Sequence, residues 1–207
     1  PLQYITNEQN FMGLDFYVDE RVLIPRQDTE VLVEEVLAYL KPGMSVLDMC
    51  TGSGCIITSL AANKKLSRAV GADLSDGALA VASGNAAANG QKKIMFVKSD
   101  LFENIDGCFD IIVSNPPYIP SGDIDGLMHE VGAHEPRMAL DGSGDGLLFY
   151  RKITETAPSY LNEGGMLFFE IGWNQAADIC VLLEKAGFAG ITVKQDLAGL
   201  DRVVYGH

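Results

Sequence analysis

The stretch VLDMCTGSGC, residues 46–55, places a short apolar run directly before two closely spaced glycines. The run has the length and composition of a buried strand, and residues 56–62 continue with the apolar spacing of a helix. Glycines at a strand-to-helix turn let backbone N–H groups and the helix N-terminus approach a ligand closely. The stretch therefore predicts an α/β domain that binds a nucleotide-like ligand at this turn.

Further short runs continue the same alternation of strand and helix along the chain. β-Branched and apolar runs are found at residues 45–48, 69–73, 94–97, 110–114 and 165–171. Segments with helical spacing accompany them, most clearly residues 78–89 and residues 175–186. This order is typical of βαβ units, so it predicts a mostly parallel sheet that helices cover on both faces.

The two ends of the chain depart from this alternation. Residues 190–196 and 201–206 form two strand-like runs that only four residues separate. Since a parallel return needs roughly a dozen residues or more, these two strands are predicted to be antiparallel. At the other end, MGLDFYV (12–18) and RVLIP (21–25) are interpreted as a small hairpin, followed by a helix that Asp28 caps.

Composition narrows the classes of function. The 207-residue chain carries 15 lysines and arginines against 28 aspartates and glutamates, a net charge of −13, which disfavours direct nucleic-acid binding. The four cysteines form no C-x-x-C pair and the three histidines are widely spaced, so no metal site is predicted. No apolar run approaches the roughly 20 residues of a membrane span. We therefore expect a cytoplasmic protein without a membrane partner.

An acidic residue follows the next predicted strand at a distance typical of nucleotide-binding sheets. Asp73 lies 19 residues after Gly54, where a carboxylate can accept hydrogen bonds from the hydroxyls of a ribose. The glycine pattern is not that of a diphosphate site, because Ile57 replaces the third glycine and no Gly-Lys-Ser/Thr sequence follows. A cofactor with a ribose but no phosphate fits better, and S-adenosylmethionine is the leading candidate.

A third strand end supplies groups that suit an adenine. Asp100 can accept from the adenine amino group, and Leu101 is an apolar neighbour for the ring. The alternative interpretation is structural, with Gly52 and Gly54 making a tight turn and the aspartates capping helices. Three such features at successive strand ends favour the cofactor site, because open α/β sheets bind ligands beyond the carboxyl ends of their strands.

The fourth strand leads into SNPPYIPSG, residues 114–122, with three prolines within five positions. Each proline fixes its own φ and restricts the residue before it, so Asn115 and Pro116 are held rigidly. The side-chain carbonyl of Asn115 and the backbone carbonyl of Pro116 suit the two hydrogens of a planar –NH2 group. Tyr118 can lay its ring over that group or near a cationic methyl. The alternative is a proline-rich turn capped by asparagine.

Together, LDMCTGSGC, Asp73, SDLF and SNPPYI resemble the class I S-adenosylmethionine-dependent methyltransferases of the amino-methylating group, whose members carry N/D-P-P-Y. That motif alone leaves nucleic-acid and protein substrates open. The stretches around it resemble one family, the HemK/PrmC protein-(glutamine-N5) methyltransferases, which modify peptide chain release factors. These stretches are PLQYITNEQNFMGLDFYV, LIPRQDTEVLVE, HEPRMALDG, DGLLFYRKI, EIGWNQ and DLAGLDRVV.

The resemblance implies transfer of the methyl group of S-adenosyl-L-methionine to the side-chain amide of the glutamine in a Gly-Gly-Gln motif, with S-adenosyl-L-homocysteine as product. Release factors are the implied protein substrate. It also implies a Rossmann-like class I fold: a mostly parallel seven-stranded sheet with an antiparallel C-terminal strand, preceded by a small β-hairpin. The alternative function is a nucleic-acid exocyclic-amino methyltransferase of the adenine N6 type. A third is a cofactor-binding domain that no longer catalyses.

The resemblance assigns roles to two sets of residues. Asn115, Pro116 and Tyr118 are the implied catalytic residues, and Pro117 completes the quartet that holds the glutamine amide. The cofactor is expected to contact Asn115, to bind Asp73 through its ribose, and to contact Asp100 and Leu101 through its adenine. It is also expected to contact the loop after the first strand, which consists of Cys50, Thr51, Gly52, Ser53 and Gly54.

Two features depart from the family pattern. Cys50 stands where the family usually has glycine. Family members also carry an N-terminal helical domain that no segment of this chain matches, so residues 1–207 are expected to be one methyltransferase catalytic domain, in which residues 1–27 form an N-terminal hairpin and linker. Arg26 is interpreted as a structural ion-pair residue near the site, with a role in catalysis as the alternative.

Overall fold

The computed structural model describes residues 1–207, except for the side chain of Glu130. The strands are β1 (Gln9–Phe11), β2 (Leu14–Phe16), β3 (Ser45–Met49), β4 (Arg68–Asp73), β5 (Met95–Lys98), β6 (Phe109–Ser114), β7 (Leu161–Glu170), β8 (Thr192–Gln195) and β9 (Asp201–Gly206). The helices are α1 (Leu2–Thr6), α2 (Thr29–Tyr39), α3 (Cys55–Asn63), α4 (Asp76–Ala88), α5 (His129–Gly132), α6 (Arg137–Leu140), α7 (Leu148–Thr156) and α8 (Ala176–Lys185). Among the described residues, no helix combines the length and the apolarity that crossing a membrane requires.

The main sheet has seven strands in the order β5-β4-β3-β6-β7-β9-β8. The pairs from β5 to β7 are all parallel. β9 lies between β7 and β8 and is antiparallel to both. The predicted mostly parallel sheet with an antiparallel C-terminal strand is confirmed, and β8 and β9 form the hairpin that the short loop between them requires.

The order of the strands reverses at β3. From β3 the chain moves outward through β4 and β5, and it then returns to the other side of β3 as β6. Ligands of open α/β sheets bind at such switch points, beyond the carboxyl ends of the strands. The loops after β3 and β6, which carry the glycines and the proline quartet, therefore meet at one edge of the sheet.

Apolar layers cover both faces of this sheet. Successive strand residues point to opposite faces, so Phe168 packs with α2 and α3 whereas Phe169 packs with α7 and α8. All residues of β3 are buried, as expected for a central parallel strand. Phe11 and Phe16 of the N-terminal hairpin are buried in the same layer as Phe168, which joins the hairpin to the sheet.

The N-terminal segment differs from its prediction in two respects. The sequence pattern predicts RVLIP, residues 21–25, as the second strand of the hairpin, and this is wrong because β1 pairs with β2. Met12 and Gly13 between them both have positive φ, as in a two-residue hairpin turn. Helix α2 begins after Asp28 as expected, but the Asp28 side chain makes no capping hydrogen bond with the described residues and lies 3.8 Å from Arg202 Nη2.

Candidate functional site

A cavity of about 170 Å³ lies at the carboxyl edge of the sheet, beyond the ends of β3, β4, β5 and β6. The loops that follow these four strands form part of its wall. Residues 21–26 also contribute, together with Pro136, Met138 and Ala139 from the segment after β6. Parts of the chain that are distant in sequence therefore enclose one space.

Most of the site residues predicted from the sequence line this cavity. They are Cys50, Thr51, Gly52, Ser53, Asp73, Asp100, Leu101, Asn115 and Pro117. Three others do not line it: Gly54 precedes helix α3, Pro116 is buried, and the Tyr118 ring packs against the apolar layer of α7 and α8. The structure thus brings the glycine loop, two acidic strand ends and Asn115 to one surface.

Asp73, the last residue of β4, is fixed by two backbone donors. The Gly52 N–H donates to Asp73 Oδ2 at 2.9 Å, and the Ser75 N–H donates to Asp73 Oδ1 at 3.0 Å. Burial raises the pKa of Asp73, and these hydrogen bonds oppose the shift because they favour the charged form. The carboxylate is therefore held between the glycine loop and the start of α4, on the cavity wall.

Asp48 supports the glycine loop from inside the sheet. It is fully buried in β3, and its Oδ2 accepts hydrogen bonds from Thr51 Oγ1 at 2.7 Å and from the Ile57 N–H at 3.3 Å. Burial raises the pKa of Asp48 to about 7. The side chain thereby joins the strand, the loop and helix α3. Sequence reasoning missed this role, although a carboxylate inside a buried apolar run is the signal that identifies it.

Two non-glycine residues of the cavity wall have a left-handed backbone. The φ of Cys50 is 62° and that of Leu101 is 50°, a conformation that costs an L residue about 1–2 kcal/mol. Such strain concentrates at functional sites, where the surrounding contacts over-determine the backbone. The positive φ at position 50 also explains why glycine suits this position, since glycine adopts a left-handed backbone without strain. Burial raises the pKa of the Cys50 thiol, which disfavours the thiolate, and the side chain packs against the apolar layer of α7 and α8.

Gly54 in the glycine loop lies close to helix α4. Its φ is 78°, and a Cβ there would lie 2.9 Å from Ala82 Cβ. We expect Gly54→Ala to lower the free energy of unfolding, measured in urea, by about 2–4 kcal/mol through left-handed strain and overpacking. The control is Gly84→Ala on α4, where the Cβ meets open space and should stabilise the helix by roughly 0.5–1 kcal/mol. Equal effects of both substitutions would contradict the close approach.

Arg26 and Glu135 join two of the segments that form the cavity wall. The Arg26 guanidinium pairs with Glu135 Oε1, and the Ile24 N–H donates to Glu135 Oε2 at 3.0 Å. Glu135 is only 5% exposed. The predicted ion pair of Arg26 is present, and Arg26 also lines the cavity. The local sequence did not indicate its partner, because the two residues are 109 positions apart.

Two histidines also meet in the segment after β6. The rings of His129 and His134 contact edge to face, with centroids 5.2 Å apart. Within the described part of the chain, no group of three His, Cys, Asp or Glu residues forms a possible metal site.

Glu170 ends β7, the strand beside the one that leads into Asn115. Thr29 Oγ1 donates to Glu170 Oε1 at 2.5 Å, and the Glu170 side chain is almost fully buried. Burial raises the pKa of Glu170 to about 7, while the Thr29 hydrogen bond and the Arg202 charge oppose the shift. Burial and then the negative charge of Glu170 raise the pKa of Tyr118. The Tyr118 side chain does not line the cavity, and it packs against the apolar layer of α7 and α8.

The raised pKa of Glu170 predicts a dependence of stability on pH. Because the folded state holds the proton more tightly, this stabilisation is full below the unfolded pKa of about 4.5 and is lost as pH rises through about 7. In urea unfolding, Glu170→Gln should remove about 2–3 kcal/mol of the decline in unfolding free energy between about pH 5 and about pH 8. Glu163→Gln, an exposed site on the same strand, is the control. An unchanged decline in Glu170→Gln would refute the assignment.

Known proteins with similar sequences are methyltransferases. Residues 27–148 match the methyltransferase small domain family. The chain is 49% identical over its full length to a release factor glutamine methyltransferase from Geobacter sulfurreducens, and it covers 72% of that protein. It is 42% identical over 99% of its length to a protein of the same name from Fusobacterium nucleatum subsp. nucleatum, of which it covers 59%. The chain belongs to the release factor glutamine methyltransferase family.

Solved structures of other methyltransferases share the fold of this family member. The ribosomal protein L11 methylase of Lactobacillus delbrueckii subsp. bulgaricus aligns over 92% of this chain and 83% of its own, with a TM-score of 0.68 and 23% identity. A Thermus thermophilus 16S rRNA N2 G1207 methyltransferase in complex with AdoMet and guanosine aligns over 97% of this chain and 49% of its own, with a TM-score of 0.67 and 21% identity. The predicted class I methyltransferase fold is confirmed.

The cavity of this glutamine methyltransferase family member fits S-adenosylmethionine. The ribose and adenine of that molecule need acceptors and an apolar contact, which the wall offers at Asp73, Asp100 and Leu101. A Cβ added at Gly52 would meet no atom within 4 Å, so the glycine loop borders open space at this position. S-Adenosylmethionine is therefore the cofactor of this enzyme.

Proposed function

We propose that this enzyme transfers the methyl group of S-adenosylmethionine to the side-chain amide nitrogen of the glutamine in the Gly-Gly-Gln motif of release factors. S-Adenosylhomocysteine is the second product. The observation that carries the proposal is the position of Asn115, which follows β6 and lines the same cavity as Asp73 and the glycine loop. A methyl acceptor bound at Asn115 would therefore lie next to the cofactor.

Orientation of the amide is the main contribution that we assign to the protein. An amide nitrogen is a weak nucleophile because its lone pair is delocalised. Carbonyl oxygens of Asn115 and Pro116 would accept its two hydrogens and aim one face of the nitrogen along the line of transfer. Positioning of this kind contributes roughly 7–11 kcal/mol in favourable cases. S-Adenosylmethionine supplies an electrophilic methyl on its sulfonium, so the N–C bond forms as the S–C bond breaks.

No strong base is required by this arrangement. The glutamine nitrogen becomes acidic as it gains the methyl group, and the proton then leaves to solvent. Carbonyl groups of the quartet supply acceptors for hydrogen bonds, and the Tyr118 side chain does not line the cavity. The segments joined by Arg26 and Glu135 would restrict water at the reacting atoms, which strengthens the hydrogen bonds that orient the amide.

We assign the cofactor contacts as the family resemblance implies them. Asp73 would accept from the ribose hydroxyls, and Asp100 and Leu101 would contact the adenine. The order of these residues along the edge, at the ends of β4 and β5, leaves the end of β6 for the glutamine. We also propose that residues 1–207 act as one catalytic domain, because the N-terminal hairpin shares a buried apolar layer with α2 and α3.

A nucleic-acid amino methyltransferase is not favoured. The net charge of −13 opposes polyphosphate binding, and similar curated proteins are named for release factors. A domain that has lost catalysis is disfavoured because the Asn-Pro-Pro-Tyr quartet is intact. Cytoplasmic location and the lack of direct nucleic-acid contact stay predictions.

Labelled S-adenosylmethionine tests this function when the enzyme is incubated separately with a release factor and with RNA. We expect label in the release factor and none in a variant whose motif glutamine is replaced by alanine. Label in RNA with none in the release factor would refute the proposal. Equal label in the release factor and its glutamine variant would show that another residue is the acceptor.

A further inference from the structure

The backbone carbonyl of Tyr118 accepts a hydrogen bond from Gln175, which lies between β7 and α8. Gln175 Nε2 donates to the Tyr118 carbonyl at 2.9 Å and also approaches the Gly146 carbonyl at 3.4 Å. Gln175 is only 7% exposed. A buried amide that donates to two loop carbonyls connects the proline quartet to a loop more than twenty residues further along the chain.

The other end of the same amide is also occupied. Gln175 Oε1 accepts from the Gly172 N–H at 2.9 Å. Gln175 is the residue before helix α8, yet its side chain does not cap that helix. Its hydrogen-bonding capacity is directed instead at the turn after β7 and at the proline quartet, which fixes the orientation of the amide.

Glycines allow this close arrangement. A Cβ at Gly146 would lie 2.5 Å from the Tyr118 carbonyl oxygen, and one at Gly142 would lie 2.8 Å from Tyr118 Cα. A Cβ at Gly172 would lie 2.9 Å from Gln175 Oε1. A side chain at Gly142 or Gly146 would therefore displace the Tyr118 backbone, and one at Gly172 would displace the Gln175 amide.

The prolines explain why the quartet needs such a contact. Pro116 and Pro117 have no N–H, so this part of the backbone cannot be anchored by donating hydrogen bonds. The anchors that follow are the Tyr118 carbonyl, which accepts from Gln175, and the Ile119 N–H, which donates to the Leu140 carbonyl at 3.0 Å. The prolines restrict φ within the quartet, and the contact with Gln175 fixes its downstream end.

We propose that Gln175 is a positioning residue, which sets the direction of the Asn115 and Pro116 carbonyls by fixing the Tyr118 backbone. It touches neither the glutamine substrate nor the cofactor. This inference rests on the proposed function, since it concerns the groups that orient the methyl acceptor. It assigns to the segment EIGWNQ, residues 170–175, a role in catalysis that its sequence does not reveal.

Two substitutions distinguish the effect of the hydrogen bond that Gln175 donates from the effect of its side-chain packing. Gln175→Met keeps the approximate length but removes both hydrogen-bonding groups. Gln175→Glu keeps an acceptor for the Gly172 N–H and replaces the donor with an oxygen that faces two carbonyls. Gln91→Met is the matched control, because Gln91 lies after α4 and its side chain donates to the nearby Asn89 carbonyl at 3.5 Å.

We expect kcat for release factor methylation to fall about 10²-fold in both Gln175 variants, because a shift of about 1 Å in a positioned group has an effect of this size. The dissociation constant of S-adenosylmethionine should stay within about twofold of the wild-type value, since the glycine loop is untouched. The exchange rate of the Ile119 amide hydrogen reports the same loop without turnover. It should increase about tenfold or more in both variants and stay unchanged in Gln91→Met.

Several results would overturn the inference. Wild-type kcat in Gln175→Glu would show that packing matters and the donor does not. A fall in kcat matched by an equal loss of folded protein, or by weaker cofactor binding, would show a merely structural role. If the wild-type enzyme methylates no release factor, the proposed function fails. The hydrogen exchange of the Ile119 amide is then the remaining test of the role of Gln175. An exchange rate that is the same in the Gln175 variants and in the wild type would refute that role.

Discussion

Asn115→Ala should reduce the rate of methyl transfer by roughly 10²–10³-fold, the effect typical of losing one preorganised hydrogen-bonding group in an active site. The substitution removes the side-chain carbonyl that accepts a hydrogen from the substrate amide, so the nitrogen loses its fixed orientation. Asn115 is one part of a wall that many other residues form. Binding of S-adenosylmethionine should therefore change by only a few-fold. Single-turnover assays and calorimetry measure the two quantities.

Asn162→Ala is the matched control for this substitution. Asn162 lies near the start of β7, at the opposite edge of the sheet, and its Nδ2 donates to Asp110 Oδ1 at 3.1 Å. Its replacement should leave the rate of transfer within about twofold of the wild-type value. Turnover retained in Asn115→Ala, or an equal loss in both variants, would rule out the proposed role of Asn115.

Asp73→Asn should weaken the binding of S-adenosylmethionine about 10²-fold, equivalent to about 3 kcal/mol. The loss has two sources. Hydrogen bonds to a charged acceptor contribute roughly 1.5–3 kcal/mol each, and the ribose hydroxyls would lose this acceptor. The Gly52 N–H also donates to the same carboxylate, so the glycine loop loses part of its support. Calorimetry with the cofactor measures the change directly.

Asp76→Asn is the control for Asp73→Asn. Asp76 begins helix α4, its side chain is 76% exposed, and it pairs with Lys98 at the surface. The same change of aspartate to asparagine should alter cofactor affinity there by less than about twofold, because exposed ion pairs contribute little. Comparable losses at both positions would point to net charge as the cause and would contradict the assignment of Asp73 to the ribose.

The sequence predicted those parts of the fold that depend on local pattern. Alternating apolar runs located the strands, and the four residues between the last two runs required them to be antiparallel. The insertion of β9 between β7 and β8 could not be predicted in this way, because strand order depends on contacts between distant segments. RVLIP has a strand-like composition, but its Val22 and Ile24 line the cavity instead of joining a sheet.

In the site, too, the residues that local sequence patterns predict differ from those that depend on partners distant in the chain. Cys50, Asp73 and Asn115 were predicted because each lies at or just beyond the end of a strand, and parallel strands bring their ends to one edge. Glu135 and Gln175 were not assigned, since each acts through a partner that is 109 or 57 residues away in the chain. No spacing rule connects residues so far apart, and only the folded structure reveals these pairs.

Tyr118 is a predicted site residue that does not line the cavity. Its place in the quartet predicts a ring over the substrate amide or near a cationic methyl, and this role stays a prediction. In the structure the ring packs against the apolar layer, and the carbonyl is bound by Gln175. An aromatic side chain at a strand end can point into the core or into the site, and the sequence does not distinguish these directions.

We propose that this enzyme methylates one side-chain amide, which the Asn115 loop orients. Fragment mass spectrometry of a release factor, after incubation with S-adenosylmethionine and the enzyme, tests it most directly. We predict one added methyl group, located on the side-chain nitrogen of the glutamine in the Gly-Gly-Gln motif, and none with the Asn115→Ala enzyme. A methyl group on any other residue, or an unmodified glutamine after incubation with active enzyme, would contradict the proposed methylation of this glutamine.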